Sequence, residues 1–425
     1  MKRLPVRLIF WSMVLVSSTI TPASASDWPQ WRGPNRDAIS TETGLLSDWR
    51  AAPPRLLWQM TGLGSGYASV AIVGDRLYTM GDREGQQMVI AIDLATRREL
   101  WATPIGQIWT NRGGARCTPT IDADRLYAIG THGDLVCLET ATGKVIWRKN
   151  FQRDFGGRMM SGWGYSESPL VDGQRLICTP GARDAMIVAL NKATGETIWR
   201  SAVPALGGAG PDGAGYSSIV IAEAAGVRQY VQVIGRGAIG VRADDGRFLW
   251  SYTRIANRTA NIPTPIVKGD IVFVSTGYQT GSAALRLVAA DGGVRAQELW
   301  FLDGNTFQNH HGGVVLVGDY LYAGHGHNNG IPICVELATG KVMWRAPRSP
   351  GSGSASVAYA DGNIYMRHEN GQMTLVAATP QSYEVRGSFR LAHVDGPSWP
   401  HPVIHDGKLY LRSENVLMCY DVSGR

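Results

Sequence analysis

The chain has 425 residues, of which 44% are apolar and only 18% are charged, so it can bury a large core. Its 52 glycines predict many short strands joined by tight turns, and no stretch has the periodicity of a long amphipathic helix. Without three basic residues at the amino terminus the formal net charge falls from +6 to +3, and no cluster of Lys and Arg remains. Composition therefore does not indicate a nucleic-acid partner.

The amino-terminal stretch has the pattern of a secretion signal. Three basic residues precede an apolar run over residues 8–16, and residues 23–25 read Ala-Ser-Ala, a small-residue cleavage site. The alternative is a retained membrane anchor, but the apolar run is short for a membrane span. We interpret residues 1–25 as a signal peptide and predict an exported protein, periplasmic or extracellular, that does not span a membrane after cleavage.

One sequence pattern recurs along the chain. Residues 135–147 read as a short apolar strand, a Thr-Gly turn and a second strand that ends at Trp147. Including the unpaired Trp58, the closing aromatics are spaced 43 to 52 residues apart, as in the four-stranded blades of propellers. They are Trp58, Trp101, Trp147, Trp199, Trp250, Trp300, Trp344 and Phe389.

The two ends of the repeat region are complementary. The last copy ends without its outer strand, whereas Leu56 to Met60 has a closing Trp with no repeat before it. An amino-terminal strand that completes the last blade closes the ring and protects its sheet edges. We therefore predict an all-β fold, an eight-bladed β-propeller with four-stranded antiparallel blades over residues 54–425. Residues 26–53 lack any period and are predicted to be an irregular capping segment.

The five cysteines fit this repeat better than a disulfide framework. Cys137, Cys334 and Cys419 each stand two residues before the acidic residue of their own copy, so they occupy the same position in different blades. Such positions lie beyond the reach of a disulfide, and buried free thiols are expected. Pairing of Cys117 with Cys178 is the remaining possibility, and we favour free thiols there as well.

The repeats resemble those of the PQQ-like β-propeller family, where PQQ is pyrroloquinoline quinone. The shared features are the Asp/Glu-x-x-Thr-Gly-x-x-x-Trp endings and the Ser/Thr-Pro blade openings at residues 118–119, 168–169 and 264–265. That family includes quinoprotein alcohol dehydrogenases and the non-enzymatic outer-membrane assembly lipoprotein BamB. The likeness runs from about Pro54 to Arg425 and implies the fold more than a function, because the motif serves packing.

The quinoprotein enzymes of this family have features that the chain lacks. The resemblance implies an adjacent pair of cysteines and a Gly-Ala-Glu whose carboxylate binds calcium. This chain has no adjacent cysteines, and its nearest match to the second motif is Gly181-Ala182-Arg183, where a guanidinium cannot ligate Ca²⁺. PQQ is therefore kept as one cofactor hypothesis.

Loop arginines and one tryptophan suggest an altered form of that pocket. Arginine suits ligands with several carboxylates, and Trp163 could form the floor of such a site. The alternative is that these arginines are simply solvated. The arginines considered are Arg112, Arg116, Arg158, Arg183 and Arg258.

Blade six has an unusual number of histidines. The hairpin turn at Gly318-Asp319 sets a register in which His310 faces His327 and Gly312 faces His325. Alternation then predicts His310, His325 and His327 on one face and His311 on the other. Three imidazoles on one face suit zinc, copper or iron. A polar pocket without metal and a purely structural role are the alternatives.

Neighbouring blades add polar residues at equivalent positions. His368 and Glu369 follow Tyr365 as His325 follows Tyr322, and the turn at residues 406–407 sets His401 opposite Arg412 and Trp399 opposite Glu414. We predict a ligand-binding rim on blades six to eight. Its residues are His310, His311, His325, His327, Asn328, His368, Glu369, His401, Arg412 and Glu414.

Two functional hypotheses follow from this rim. The first is a monomeric binding or scaffold module whose partner is a small molecule or a protein or polymer of the cell envelope. The second is an oxidoreductase that uses PQQ or a histidine-bound transition metal. No Ser-His-Asp order or nucleophile elbow occurs, so the sequence gives no hydrolase signature.

Overall fold

The computed structural model of the protein describes residues 27–424, and the predicted signal peptide lies outside them. The described chain forms eight four-stranded sheets, and every pairing of neighbouring strands is antiparallel. The first strands of successive blades contact one another, so they surround the axis of the ring. The predicted eight-bladed β-propeller is confirmed.

The strands follow one another in chain order. The first, Arg55–Met60 (β1), belongs to blade eight. Blades one to four are Ala71–Val73 (β2), Arg76–Arg83 (β3), Gln86–Asp93 (β4), Glu99–Gln107 (β5); Thr120–Asp122 (β6), Arg125–Ile129 (β7), Asp134–Glu139 (β8), Val145–Asn150 (β9); Leu170–Asp172 (β10), Arg175–Cys178 (β11), Ile187–Asn191 (β12), Thr197–Ser201 (β13); Val220–Ala224 (β14), Val227–Ile234 (β15), Gly237–Arg242 (β16), Phe248–Tyr252 (β17). Blades five to eight are Ile266–Lys268 (β18), Ile271–Thr276 (β19), Gly281–Ala290 (β20), Gly293–Asp303 (β21); Val314–Val317 (β22), Tyr320–His325 (β23), Ile331–Glu336 (β24), Val342–Arg345 (β25); Ala355–Ala360 (β26), Asn363–His368 (β27), Gln372–Ala377 (β28), Val385–Arg390 (β29); Val403–His405 (β30), Lys408–Ser413 (β31), Val416–Asp421 (β32).

Only one short helix occurs among the described residues, Phe151–Phe155 (α1). The side chain of Asn150 accepts the backbone N–H groups of Gln152 and Arg153, which caps its first turn. No helix in residues 27–424 has the length and apolar character needed to cross a membrane.

The ring closes between the two ends of the repeat region. Strand β1 pairs with β32, with Arg55 opposite Asp421 and Met60 opposite Leu417. The ring centroids of Trp58 and Tyr410 lie 6.1 Å apart within the same blade. The predicted completion of the last blade by the amino-terminal strand is confirmed.

The turn glycines of blades two, three, four and six pack against the closing tryptophan of the blade before them. The indole N–H of Trp101 donates to the carbonyl of Thr140 at 3.1 Å, and a Cβ built on Gly143 would lie 2.5 Å from the Trp101 ring. Gly143 also has φ of +73°, a conformation that favours glycine. The same contact recurs between Trp147 and Gly195, Trp199 and Gly246, and Trp300 and Gly340.

Residues 27–53 lie against the hairpin-turn end of the propeller. The carboxylate of Glu42 accepts the backbone N–H groups of Asp406 and Gly407, both at 2.7 Å. The N–H of Leu45 donates to Asp361, and the buried Trp49 packs on blade seven. This segment therefore ties blade seven to blade eight.

All five cysteines are buried and free. Cys137, Cys334 and Cys419 each pair across the sheet with a tyrosine at the same place in its blade. Their predicted equivalence is confirmed, and Cys117 and Cys178 are not disulfide-bonded.

Candidate functional site

A cavity of about 430 Å³ opens on the propeller axis, at the end opposite the hairpin turns. Every blade or the loop leading into it contributes to the wall, and two residues of the amino-terminal segment complete it. The lining residues that matter most are Trp31, Arg32, Tyr67, Arg112, Arg116, Trp163, Ser166, Tyr216, Ser218, Thr264, Tyr278, His310, His311, Gly313, His327, Asn328, Glu369, Trp399 and His401. The cavity is thus an axial site rather than a rim confined to blades six to eight.

The predicted rim residues divide into two groups. Six of them line the axial cavity: His310, His311, His327, Asn328, Glu369 and His401. The other four do not line it: His325, His368, Arg412 and Glu414.

The predicted histidine register is only partly correct. Val317 pairs with Tyr320 as expected, but the ladder stops at Val314 opposite Ala323. Before that point the chain turns to blade seven, where the carbonyl of Gly312 accepts the backbone N–H of Val357 at 3.2 Å. His310 does lie beside His327 as predicted, but strand alternation does not continue to residues 310 and 311, so the predicted faces of His311 and His325 are wrong.

The structure brings together a different set of imidazoles. The ring centroid of His310 lies 4.1 Å from that of His327 and 3.7 Å from that of His311, which was predicted on the other face. His325 instead accepts the backbone N–H of Gln308 at its Nδ1. The predicted ligand set of His310, His325 and His327 is not assembled, and residues 27–424 contain no group of three His, Cys, Asp or Glu side chains placed to hold a metal ion.

Three histidines of the cavity are uncharged at neutral pH. Burial lowers the pKa of His310, and it lowers the pKa values of His311 and His401 to about 3. His310 is bonded on both nitrogens, to the Ser354 hydroxyl at 2.8 Å and to the Tyr278 hydroxyl at 3.1 Å. These rings therefore act as neutral hydrogen-bonding and stacking groups.

Arginines supply the positive charge of the cavity. Arg32 is only 3% exposed, and its Nη2 donates to the carbonyls of Asp37 and Val314, whereas its Nη1 is buried without a hydrogen-bond partner. Arg116 bonds the carbonyl of Arg112 through Nη2, and its Nη1 is likewise buried without a partner. Burial lowers the pKa of Arg32 to about 10, so the guanidinium stays charged.

Glu369 is the one carboxylate in the lining described above. Its Oε1 accepts the indole N–H of Trp399 at 2.7 Å and the backbone N–H of Ser354 at 3.0 Å. Trp399 in turn stacks on His311, with ring centroids 4.4 Å apart. Glu369 therefore positions the aromatic wall of blade eight.

Three of the remaining predicted rim residues join neighbouring blades. Arg412 is 1% exposed and donates to the carbonyls of Gly64 and Met80 of blade one. His368 is fully buried, with Nε2 at 2.9 Å from the carbonyl of Gly330. Glu414 accepts the backbone N–H of Gly66 at 2.9 Å. Their place in the fold is structural.

The five loop arginines are not all at one site. Arg112 and Arg116 line the axial cavity, together with Trp163. Arg158 and Arg183 line a separate cleft of about 100 Å³, where Asp212 pairs with Arg158 at 3.3 Å. Arg258 lines neither of these cavities.

Several residues of the site had no signal in the sequence pattern. Trp31 and Arg32 lie in the segment without any period, and Trp31 reaches the axis, where its indole N–H donates to Thr264 at 3.2 Å. Tyr67, Tyr216 and Tyr278 lie in loops between strands. Tyr67 and Tyr216 each precede the first strand of their blade, whereas Tyr278 follows the second strand of blade five.

The cavity does not fit a calcium-bound PQQ. Calcium needs several oxygen ligands, and Glu369 is the one carboxylate that lines the cavity. Gly181 and Arg183, which stand where the resemblance implies a calcium ligand, line the separate cleft instead.

Comparison with known proteins places residues 85–346 in a family model described as outer membrane protein assembly factor BamB. BamB of Shewanella oneidensis is 26% identical over 123 residues, which are 27% of this chain and 30% of the relative. BamB of Xanthomonas campestris is 29% identical over 112 residues, 25% of each chain. The matches thus span less than a third of the length of these relatives.

Solved structures share the fold at low identity. BamB from Moraxella catarrhalis superposes with a TM-score of 0.62 at 12% identity, over 87% of this chain and 99% of that one. Quinohemoprotein alcohol dehydrogenase from Comamonas testosteroni gives 0.65 at 13% identity, over 95% and 82%. Likeness at this level concerns the fold alone.

Proposed function

Because the chain belongs to the family described as outer membrane protein assembly factor BamB, we propose that it is an exported binding and scaffold module of the cell envelope. The names of its relatives refer to outer-membrane assembly, which supports an envelope protein or polymer as the partner. Export rests on the secretion pattern of residues 1–25.

In this proposal the axial cavity is the binding site. The observation that supports it best is the pair of buried guanidinium nitrogens, Nη1 of Arg32 and Nη1 of Arg116, that have no hydrogen-bond partner beside an aromatic-walled space. Buried polar groups in folded proteins are almost always paired, so exceptions in a cavity point to a ligand.

The geometry favours binding over the oxidoreductase alternative. The likeness to quinohemoprotein alcohol dehydrogenase concerns the fold, and the carboxylate that would serve a calcium-quinone pair is engaged with Trp399. The neutral histidines are held by neighbouring hydroxyls and rings rather than poised as bases. A rigid propeller with a preformed polar cavity suits recognition.

Fluorescence of the mature chain tests the proposal, because Trp31, Trp163 and Trp399 all line the cavity. Separated protein, glycan and small-molecule fractions of the cell envelope should include one that quenches this fluorescence saturably. Ser166→Trp, which fills the cavity from a partly exposed position, should abolish that response. The matched control, Arg236→Gln, changes the separate cleft only and should retain it.

The proposal is wrong if no envelope fraction binds, or if the Ser166→Trp variant binds as tightly as the parent protein. Fractionation of cells that express the full chain, leader included, tests export separately. Recovery of the protein in the cytoplasm with residues 1–25 still attached would contradict it.

A further inference from the structure

Arg32 has an unusual setting for a charged side chain. It comes from the amino-terminal segment and enters the ring where blade six has Gly313, and a Cβ on that glycine would lie 2.9 Å from Arg32 Nη1. The space that the missing side chain leaves is therefore occupied by the guanidinium. Asp37 acts on Arg32 only at longer range, since the described residues place no carboxylate in an ion pair with it.

Arg116 presents a second unpaired guanidinium nitrogen to the same cavity. Its Cζ lies 5.9 Å from the ring centroid of Tyr67, so an aromatic face borders the charge. With Arg112 the lining has three guanidinium groups against the single carboxylate of Glu369. The planar fork of arginine matches the two oxygens of a carboxylate, so the charge balance calls for a carboxylate ligand.

Aromatic rings form opposite parts of the wall. Tyr67 and Trp399 pack together with ring centroids 4.5 Å apart, and Trp163 and Tyr216 with ring centroids 5.8 Å apart. Such faces pack against the C–H surface of a sugar ring or against a planar ligand. The ligand is therefore expected to combine a carboxylate with a ring.

The other polar groups of the cavity include imidazole, amide and hydroxyl side chains. His310 is bonded to two hydroxyls, and Nδ1 of His327 is buried without a partner in the same cluster. Asn328 and Tyr278 also line this space. Such donors and acceptors match the hydroxyl groups of a sugar.

We propose that the axial cavity binds an acidic sugar, with its carboxylate on the unpaired guanidinium nitrogens of Arg32 and Arg116 and its ring on the surrounding aromatic faces. This inference rests on the proposed binding function and names the ligand class. The volume of about 430 Å³ falls in the range of roughly 300–1,000 Å³ that is typical of small-ligand sites.

Titration of the mature protein with trigalacturonate and with its methyl ester tests the role of the carboxylate, because the two differ in charge while sharing the ring. Tryptophan fluorescence and calorimetry should show that the acid binds at least tenfold more tightly than the ester. Arg116→Gln should lower the affinity for the acid at least tenfold and that for the ester less than twofold. Arg32→Gln should do the same.

Arg32 also bonds two carbonyls, so its variant could fail to fold; in that case Arg116→Gln decides the test. Arg236→Gln, outside the cavity, should bind both probes like the parent. Equal binding of acid and ester, or an unchanged affinity in Arg116→Gln, would overturn the inference.

The test also separates the inference from the function on which it rests. Suppose that no sugar binds, but that an envelope fraction still quenches the fluorescence of the parent protein and not that of the Ser166→Trp variant. This result would overturn the inference alone. Failure of both would overturn the proposed function as well. Tight binding of PQQ with calcium, without any binding of trigalacturonate, would show that the ligand of the cavity is the quinone and not an acidic sugar.

Discussion

Blades one to four differ from blades six and eight in the side chains with which they approach the propeller axis. In the first set, each blade opens with a hydroxyl residue that bonds its neighbour: the backbone N–H of Ser69 donates to Thr118, that of Thr118 to Ser168 and that of Ser168 to Ser218, at 3.0–3.1 Å. Counted from the hairpin turn, the position of Ser69, Thr118 and Ser168 holds Gly313 in blade six and His401 in blade eight.

These two departures flank Arg32. A Cβ on Gly313 would lie 2.9 Å both from Arg32 Nη1 and from Cε1 of His401. Where the blades carry these hydroxyl residues, neighbouring blades are hydrogen-bonded to one another. Where Gly313 and His401 replace them, the side chain of Arg32 enters from the amino-terminal segment. Loss of the repeat pattern at one position therefore provides the space in which the binding site forms.

The largest expected effect separates structural arginines from binding arginines. Arg412→Met removes a guanidinium that donates to Thr79 and to the carbonyls of Gly64 and Met80, and leaves these acceptors buried. We expect a loss of about 3–5 kcal/mol in the free energy of unfolding, measured by urea denaturation.

Arg116→Met is the control for that change, because its Nη1 has no partner within the protein. It should alter the free energy of unfolding by less than about 1 kcal/mol. A loss below about 1 kcal/mol in Arg412→Met, or equal losses in both variants, would contradict the division of the two arginines into structural and binding roles.

The second prediction restores the hydroxyl residue where blade six lacks it. Gly313→Ser introduces a side chain at φ of +67° and against Arg32, so we expect destabilisation by about 2–3 kcal/mol. The variant should also lose ligand-induced quenching, because Arg32 is displaced. Urea denaturation and fluorescence titration measure the two effects.

Ser168→Ala is the matched change in the regular half. It removes one hydroxyl acceptor between neighbouring blades, so it should lower the free energy of unfolding by about 1 kcal/mol and leave ligand binding intact. Should Gly313→Ser bind the ligand like the parent protein, the proposed entry of Arg32 through this gap would be wrong.

The regular half is also the part that the sequence predicts well. The Thr-Gly turn and the closing Trp appear in the sequence because each glycine must fit against the tryptophan of the preceding blade. That contact is local to neighbouring repeats and recurs, so its spacing fixes the number of blades. Closure by the strand containing Trp58 follows from the same count.

The site was harder to predict because it lies where the strands end. Alternation places a side chain only while the ladder continues, and the ladder of blade six ends at Val314, before His310 and His311. Contacts made by Trp31 and Arg32 with blades five and six are set by an irregular segment without any period. The histidine content of the site was therefore predictable, and its arginine from the cap was not.

The third prediction concerns pH, where the two halves respond with opposite signs. His311 and His401 have pKa values lowered by burial to about 3, so below the usual value of 6.5 the unfolded chain binds protons that the folded chain does not. Stability falls as pH is lowered from 6.5, by up to about 1.4 kcal/mol per pH unit for each such group.

Glu167, in blade three, acts in the other direction. Burial raises its pKa to about 7, although it accepts hydrogen bonds from Thr179 and lies near Arg36. Between pH 7 and 4.5 the folded chain holds a proton that the unfolded carboxylate releases, so this group adds stability as pH falls.

Replacing the buried glutamate or a buried histidine should therefore expose the pH dependence of stability that the other group causes. Glu167→Gln should steepen the loss of stability between pH 7 and 5, by about 1.4 kcal/mol per pH unit, whereas His401→Gln should flatten it by a similar amount. Urea denaturation at half-unit steps of pH measures both slopes. Identical slopes in the parent and in Glu167→Gln would show that the carboxyl of blade three is ionised in the folded protein, and the contrast in pH response between the two halves would then be wrong.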